Sequence, residues 1–179
     1  MSKAKNGQKS DKVSPDLDTP TDLPQAAVDE ISASLNSLLA DAFALYMKTK
    51  NFHWHVSGPN FRDFHEMLDE QSEQILESID PLAERVRKLG QPTLRSLAQI
   101  LALTSLKENE RDFVSPYDML VELMQDNVAV AKSLREAHGL CDDYEDVATS
   151  SLIEQFLDET EKRTWFLFEA ARAADSGGH

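Results

Sequence analysis

From Ala26 onward, apolar residues recur at three- and four-residue spacing through four long segments, and no stretch of useful length alternates with period two. A chain written this way buries its apolar stripes by packing helix on helix. The first segment carries Val28, Ile31, Leu35, Leu38, Leu39, Ala42, Leu45 and Tyr46 on one stripe and stops near Gly58-Pro59. The second begins near Asn60, a suitable N-cap, and runs to Gly90, a suitable C-cap ahead of Pro92. Ser115-Pro116 opens a third helix bearing Leu120, Leu123, Met124, Ala131 and Leu134, which is expected to end at Gly139. Asp142 with Glu145 reads as a capping box for a fourth, carrying Leu152, Ile153, Phe156 and Leu157. The link from Gly90 to Ser115 is long enough to span a bundle and holds an apolar, helix-like patch from Leu97 to Leu106. A long crossover between helices two and three is the connection a ferritin-like four-helix bundle needs, so the expected class is all-α with that topology.

The bundle is expected over residues 25–173, with a mobile N-terminal tail over 1–24 and a short C-terminal tail over 174–179. The N-terminal tail is rich in Lys, Asp, Ser and Pro, too poor in apolar side chains to offset the entropy of ordering. Its first twelve residues carry a net +3, with Lys3, Lys5, Lys9 and Lys12 against Asp11. The whole chain carries −14, which argues against a folded body that binds nucleic acid by its own field and makes cations the better guests. There is no membrane-length apolar run and no signal-peptide pattern, so a cytoplasmic location and no membrane partner are expected. The lone Cys141 cannot form an internal bridge and reads as an unreactive loop thiol in a reducing compartment.

Helix two carries the chemistry. With His65 at zero and about 100° per residue, Phe61, Phe64, Leu68, Ile75, Ile79, Leu82, Val86 and Leu89 form a core stripe near 240–320°. Asp63, Glu66, Glu70, Glu77 and Lys88 lie on a solvent face at about 100–160°. A third stripe holds His65 at about 0°, Asp69 at about 40°, Asp80 at about 60° and Glu84 at about 100°, together with the small Ser72 and Ala83. His65/Asp69 and Asp80/Glu84 are each four apart, so each pair can close on one ion. Nitrogen with carboxylate oxygen suits iron, manganese or zinc.

At about 1.5 Å per residue the two pairs are centred about 22 Å apart, too far for one coordination sphere. An antiparallel copy of the helix, related by a two-fold axis near residues 74 and 75, would set each pair beside the other chain's complementary pair and so make two equivalent sites. His53 is in phase with Leu35, Leu39, Ala42 and Tyr46, so it should point inward near the start of helix two, with Trp54 close by.

Lys50-Asn51-Phe52-His53-Trp54, then Gly58, Phe61, His65-Glu66-Met67-Leu68-Asp69, Asp80, Ala83-Glu84-Arg85 and Leu89-Gly90 resemble the signature of the Dps family, DNA-binding proteins from starved cells. The resemblance implies a hollow dodecamer in which His53, His65 and Asp69 of one subunit and Asp80 and Glu84 of its mate hold two irons. There Fe(II) would be oxidised, preferably by hydrogen peroxide, and the ferric product stored, which makes the chain a ferroxidase that protects DNA from oxidative damage. Trp54, by the same likeness, would absorb stray oxidising equivalents. Where the family often has Asn after His-Trp, this chain has His55, either an extra ligand or a surface residue. Acidic pores at three-fold axes are implied, with Asp142, Asp143 and Asp146 as candidates; the alternative is that these residues only cap a helix and complement its dipole. Family members that bind DNA often use lysine-bearing tails, and Lys3, Lys5, Lys9 and Lys12 are similarly placed. The rival reading is therefore a DNA-coating, nucleoid-associated protein with little ferroxidase activity. Zinc or manganese would suit the same ligands.

Overall fold

The computed structural model describes residues 14–176. Four long helices form the bundle: α1 (Gln25–His55), α2 (Phe61–Lys88), α4 (Pro116–Asp143) and α5 (Val147–Ser176). A short α3 (Leu97–Leu103) lies in the crossover between α2 and α4, as the ferritin-like topology requires. No strand occurs among the described residues, and no helix there is long and apolar enough to cross a membrane.

The core is built from the periodic positions of all four helices. Leu35, Leu39, Leu68, Ile75, Leu120, Leu123, Ile153 and Leu167 are almost wholly removed from water, each burial stabilising by about 2 kcal/mol. α1 packs beside α2 and α4 beside α5, and α1 also meets α4 across the bundle.

The crossover is pinned along α1. Asn36 donates to the Pro92 carbonyl at 3.2 Å. Further along, buried Asp41 accepts from the Thr104 hydroxyl and the Ser105 amide at 2.8 and 2.6 Å. Asn51 donates to the Asn109 carbonyl at 3.2 Å. Three anchors in rising order on both partners make the crossover run in the direction of α1, so α4 starts at the end of the bundle where His53 sits.

Several local expectations are corrected. α4 does not stop at Gly139 but continues to Asp143; a glycine inside a helix costs about 1 kcal/mol, which packing of the flanking Ala137 and Cys141 outweighs. Asp142 is thus the last turn of α4 rather than a cap. The cap of α5 is Asp146, whose carboxylate accepts from the Thr149 amide at 3.0 Å, after Glu145 turns the chain with φ of 58°. Cys141 belongs to α4 rather than a loop; it is buried, and burial pushes its thiol up to about 12.

Asn60 precedes α2 as expected but makes no side-chain cap bond. Ser72 is part of the core within one chain rather than a contact residue. Pro81 sits inside α2, where it removes the amide that would bond the Glu77 carbonyl; the Glu77 side is exposed, so water can take that place.

The tail expected over residues 1–24 is docked in its described part. Arg87 donates to the Leu17 carbonyl at 2.8 Å, and the Thr19 backbone lies against Gly90. Lys3, Lys5, Lys9 and Lys12 lie outside the described residues, as do 177–179 of the C-terminal tail.

Candidate metal centre

The end of α1 and the first turns of α2 meet so that two imidazoles lock each other. The Nδ1 of His53 lies 2.8 Å from the His65 carbonyl, and the Nδ1 of His65 lies 2.9 Å from the His53 carbonyl. A carbonyl oxygen can only accept, so each neutral ring carries its hydrogen on Nδ1 and keeps the Nε2 lone pair free. The rings stack at 3.8 Å between centroids. Orientation through the opposite nitrogen is how proteins commonly preset a metal-binding imidazole.

Phe61 extends the stack, its ring 5.1 Å from His65. It was expected on the core stripe, yet it is 45% exposed, because the first turn of α2 projects past the end of α1. Its partner there is the imidazole, not the core.

Asp69 lies one turn beyond His65, with an oxygen 3.7 Å from the His53 Nε2. The same oxygen receives the Lys50 ammonium at 2.6 Å. That hydrogen bond holds the Asp69 carboxyl below its ordinary range, against a smaller opposing push from desolvation and with help from the charge of Lys50. Lys50 was not singled out as a site residue. Its spacing, three before His53 and so on the same face of α1, was the signal available.

Asp80 and Glu84 are exposed further along α2. Glu84 is met by Lys88 one turn on, at 3.2 Å. Among the described residues no single chain gathers three or more His, Cys, Asp or Glu able to hold a metal ion. One chain therefore offers two half-sites, His53/His65/Asp69 and Asp80/Glu84, on one helix flank. Between them the exposed Leu76 lies at about 20° on the same stripe, a position that sequence reading passed over.

Trp54 is 56% exposed beside the imidazole pair in sequence. His55 is exposed, with its Nδ1 2.7 Å from the Asn51 carbonyl in its own helix, which fits the surface alternative.

The three candidate pore acids fare differently. Asp142 and Asp143 are exposed at the end of α4, Asp142 pairing with His138 at 3.1 Å. Asp146 is buried and receives Arg85 at 2.7 Å. Burial pushes its carboxyl up, but the bonds from Thr149 and Arg85 together outweigh this and hold it below the ordinary range. Its capping alternative is therefore realised. Arg85 also donates to the Thr149 hydroxyl at 2.6 Å, so the residue next to Glu84 ties α2 to the start of α5.

A family model described as a ferritin-like domain matches residues 32–173. An uncharacterised low temperature-induced protein of Nostoc sp. is 37% identical over 134 residues, 74% of this chain and 75% of that one. A DNA protection during starvation protein of Brevibacillus brevis is 34% identical over 137 residues, 76% of this chain and 91% of that one. Among solved structures, the Dps protein of Vibrio cholerae O1 is described as a member of a broad superfamily of ferritin-like diiron-carboxylate proteins. It superposes with a TM-score of 0.78 at 26% identity, covering 82% of this chain and 92% of that one.

Proposed function

The chain belongs to the Dps family of ferritin-like proteins, and from that premise we propose that it is a ferroxidase and iron-storage protein whose sites are shared between two-fold-related subunits. Fe(II) is the substrate. His53, His65 and Asp69 of one subunit bind it together with Asp80 and Glu84 of the mate, preferably with hydrogen peroxide as oxidant, and the ferric product is stored in a hollow dodecamer. The observation that carries this reading is the reciprocal lock between His53 and His65, which leaves two imidazole lone pairs beside Asp69 as a half-site that the described residues of one chain do not complete.

The exposed Leu76 supports the two-fold pairing. An apolar residue midway between the half-sites, one position from the inferred axis, is best covered by its own copy in the mate. Leu97 and Leu101 of α3 add exposed apolar surface of the same kind, at 77% and 59%.

The protein's part in the reaction is positional and electrostatic. The imidazoles arrive pre-oriented, and the carboxylates favour the more highly charged ferric product over Fe(II). Two Fe(II) ions each give one electron, and peroxide takes up both electrons and two protons to leave water, which avoids the one-electron route to hydroxyl radical. Trp54, exposed next to His53, is suited to absorb an oxidising equivalent that escapes. Asp142 and Asp143 are proposed as the acids of an entry pore. Zinc or manganese would compete for the same ligands.

DNA protection, in the sense of the relatives' names, follows from consuming Fe(II) and peroxide. A second route is DNA contact through Lys3, Lys5, Lys9 and Lys12. Binding of that kind is expected to vanish by about 200 mM salt in a gel-shift titration. The ferroxidase reading is tested by anaerobic Fe(II) loading followed by peroxide, with absorbance recorded for wild type and Asp80→Ala. Unchanged oxidation in the variant would refute it.

A further inference from the structure

On the flank of α2 away from the candidate metal stripe, a cleft of about 170 Å³ opens against α5, lined by Met67, Glu70, Gln71, Gln74, Lys162, Arg163 and Phe166. Its floor holds a buried cation. Arg163 is only 7% exposed, and its guanidinium donates to three neutral oxygens: Asn127 at 2.9 Å, Gln74 at 2.8 Å and Thr160 at 2.7 Å. Among the described residues no carboxylate lies within 4.0 Å of it. Glu159 acts on it only through space, and desolvation lowers its pKa to about 10.

A buried charge is costly unless an opposite charge meets it, and these three acceptors supply none. Five N–H groups less three bonds leave two donors. Gln71 is equally buried, at 7%, and its amide makes no side-chain hydrogen bond among the described residues. Gln74 uses its carbonyl oxygen on Arg163, so its amide hydrogens stay available. The Lys162 ammonium completes the lining, 5.7 Å above the Phe166 ring. In a chain of net charge −14 this is a local reversal of sign, with one opposing carboxylate, Glu70, at the rim.

We propose that the cleft between α2 and α5 binds an inorganic oxyanion of the phosphate class, held over Arg163 by Gln71, Gln74 and Lys162. Guanidinium donors and amide hydrogens match the oxygens of a tetrahedral anion, and the concave cleft gives it room. The site stands apart from the oxidation chemistry and does not depend on it.

The test is equilibrium dialysis of the assembled, metal-free, full-length protein against radiolabelled inorganic phosphate. Saturable uptake of one phosphate per chain is expected. Lys162→Glu and Gln71→Leu should each weaken it at least about tenfold through loss of a charged or amide donor, while Lys132→Glu, exposed on α4, should leave it unchanged. Arg163→Met should abolish it; if that variant fails to assemble, the two lining variants decide. No saturable uptake, or uptake unchanged in both Lys162→Glu and Gln71→Leu, would overturn the assignment.

Discussion

His53 and His65 each present Nδ1 to the other's backbone carbonyl, at 2.8 and 2.9 Å, so the last turn of α1 and the second turn of α2 hold one another's imidazole by a closed pair of hydrogen bonds. Because each ring is fixed by the backbone of the opposite helix, the orientation of both lone pairs is a property of the helix junction rather than of either side chain alone.

Lys50 competes for Asp69. Its ammonium sits 2.6 Å from the carboxylate that a cation would need. Lys50→Met should tighten Zn(II) binding, used as a redox-silent probe of the centre, by about threefold or more through loss of a like charge. Titration calorimetry at pH 7 reads this directly; weaker binding in the variant would mean that the ammonium helps to build the site. The same variant should return the Asp69 carboxyl towards the ordinary aspartate range.

Arg85 and Asp146 form the ion pair that fastens α2 to the start of α5. Removing the cation leaves a buried carboxylate, so Arg85→Ala should destabilise the fold by about 3 kcal/mol. The sign with pH follows from Asp146, whose folded pKa is depressed. Its contribution is present above the unfolded value of about 4 and is lost as pH falls through the folded value. Thermal unfolding between pH 6 and pH 3 should show a smaller loss on acidification in Asp146→Asn than in wild type.

Gly90 ends α2 with φ of +88°, and a Cβ there would stand 2.9 Å from the Thr19 carbonyl oxygen. Both the left-handed backbone and the close approach require glycine. Gly90→Ala should therefore cost about 2 kcal/mol in a denaturant titration. Gly58, also at positive φ but with nothing within 4 Å of a Cβ, should cost less.

Much of this architecture was readable before any coordinates. Four apolar stripes, Ser115-Pro116 and the long link to it are local signals, and they recover the helices and the crossover. What stayed hidden depends on which helix faces which. Period alone put Phe61 on the core stripe, but the first turn of α2 overhangs α1 and stacks the ring on His65 instead. Asp142 and Asp146 both match a cap in sequence; only the chain reversal at Glu145 selects Asp146. Arg163 reads as one more charged residue of α5 until Asn127 and Gln74 close over it. At the metal stripe the residue types and spacing were legible, and Lys50 shares a face of α1 with His53, but its pairing with Asp69 spans two helices and shows only in the fold.

The shared centre is tested most directly by co-assembly. Asp69→Ala and Asp80→Ala chains, each inactive alone, are unfolded together, refolded as an equal mixture and assayed for peroxide-driven Fe(II) oxidation. In a mixed dimer one site lacks both carboxylates and the other is wild type, so random pairing should restore about one quarter of the wild-type rate. A mixture that stays at the level of the separate variants, with assembly intact by native mass, would contradict a centre built across two chains.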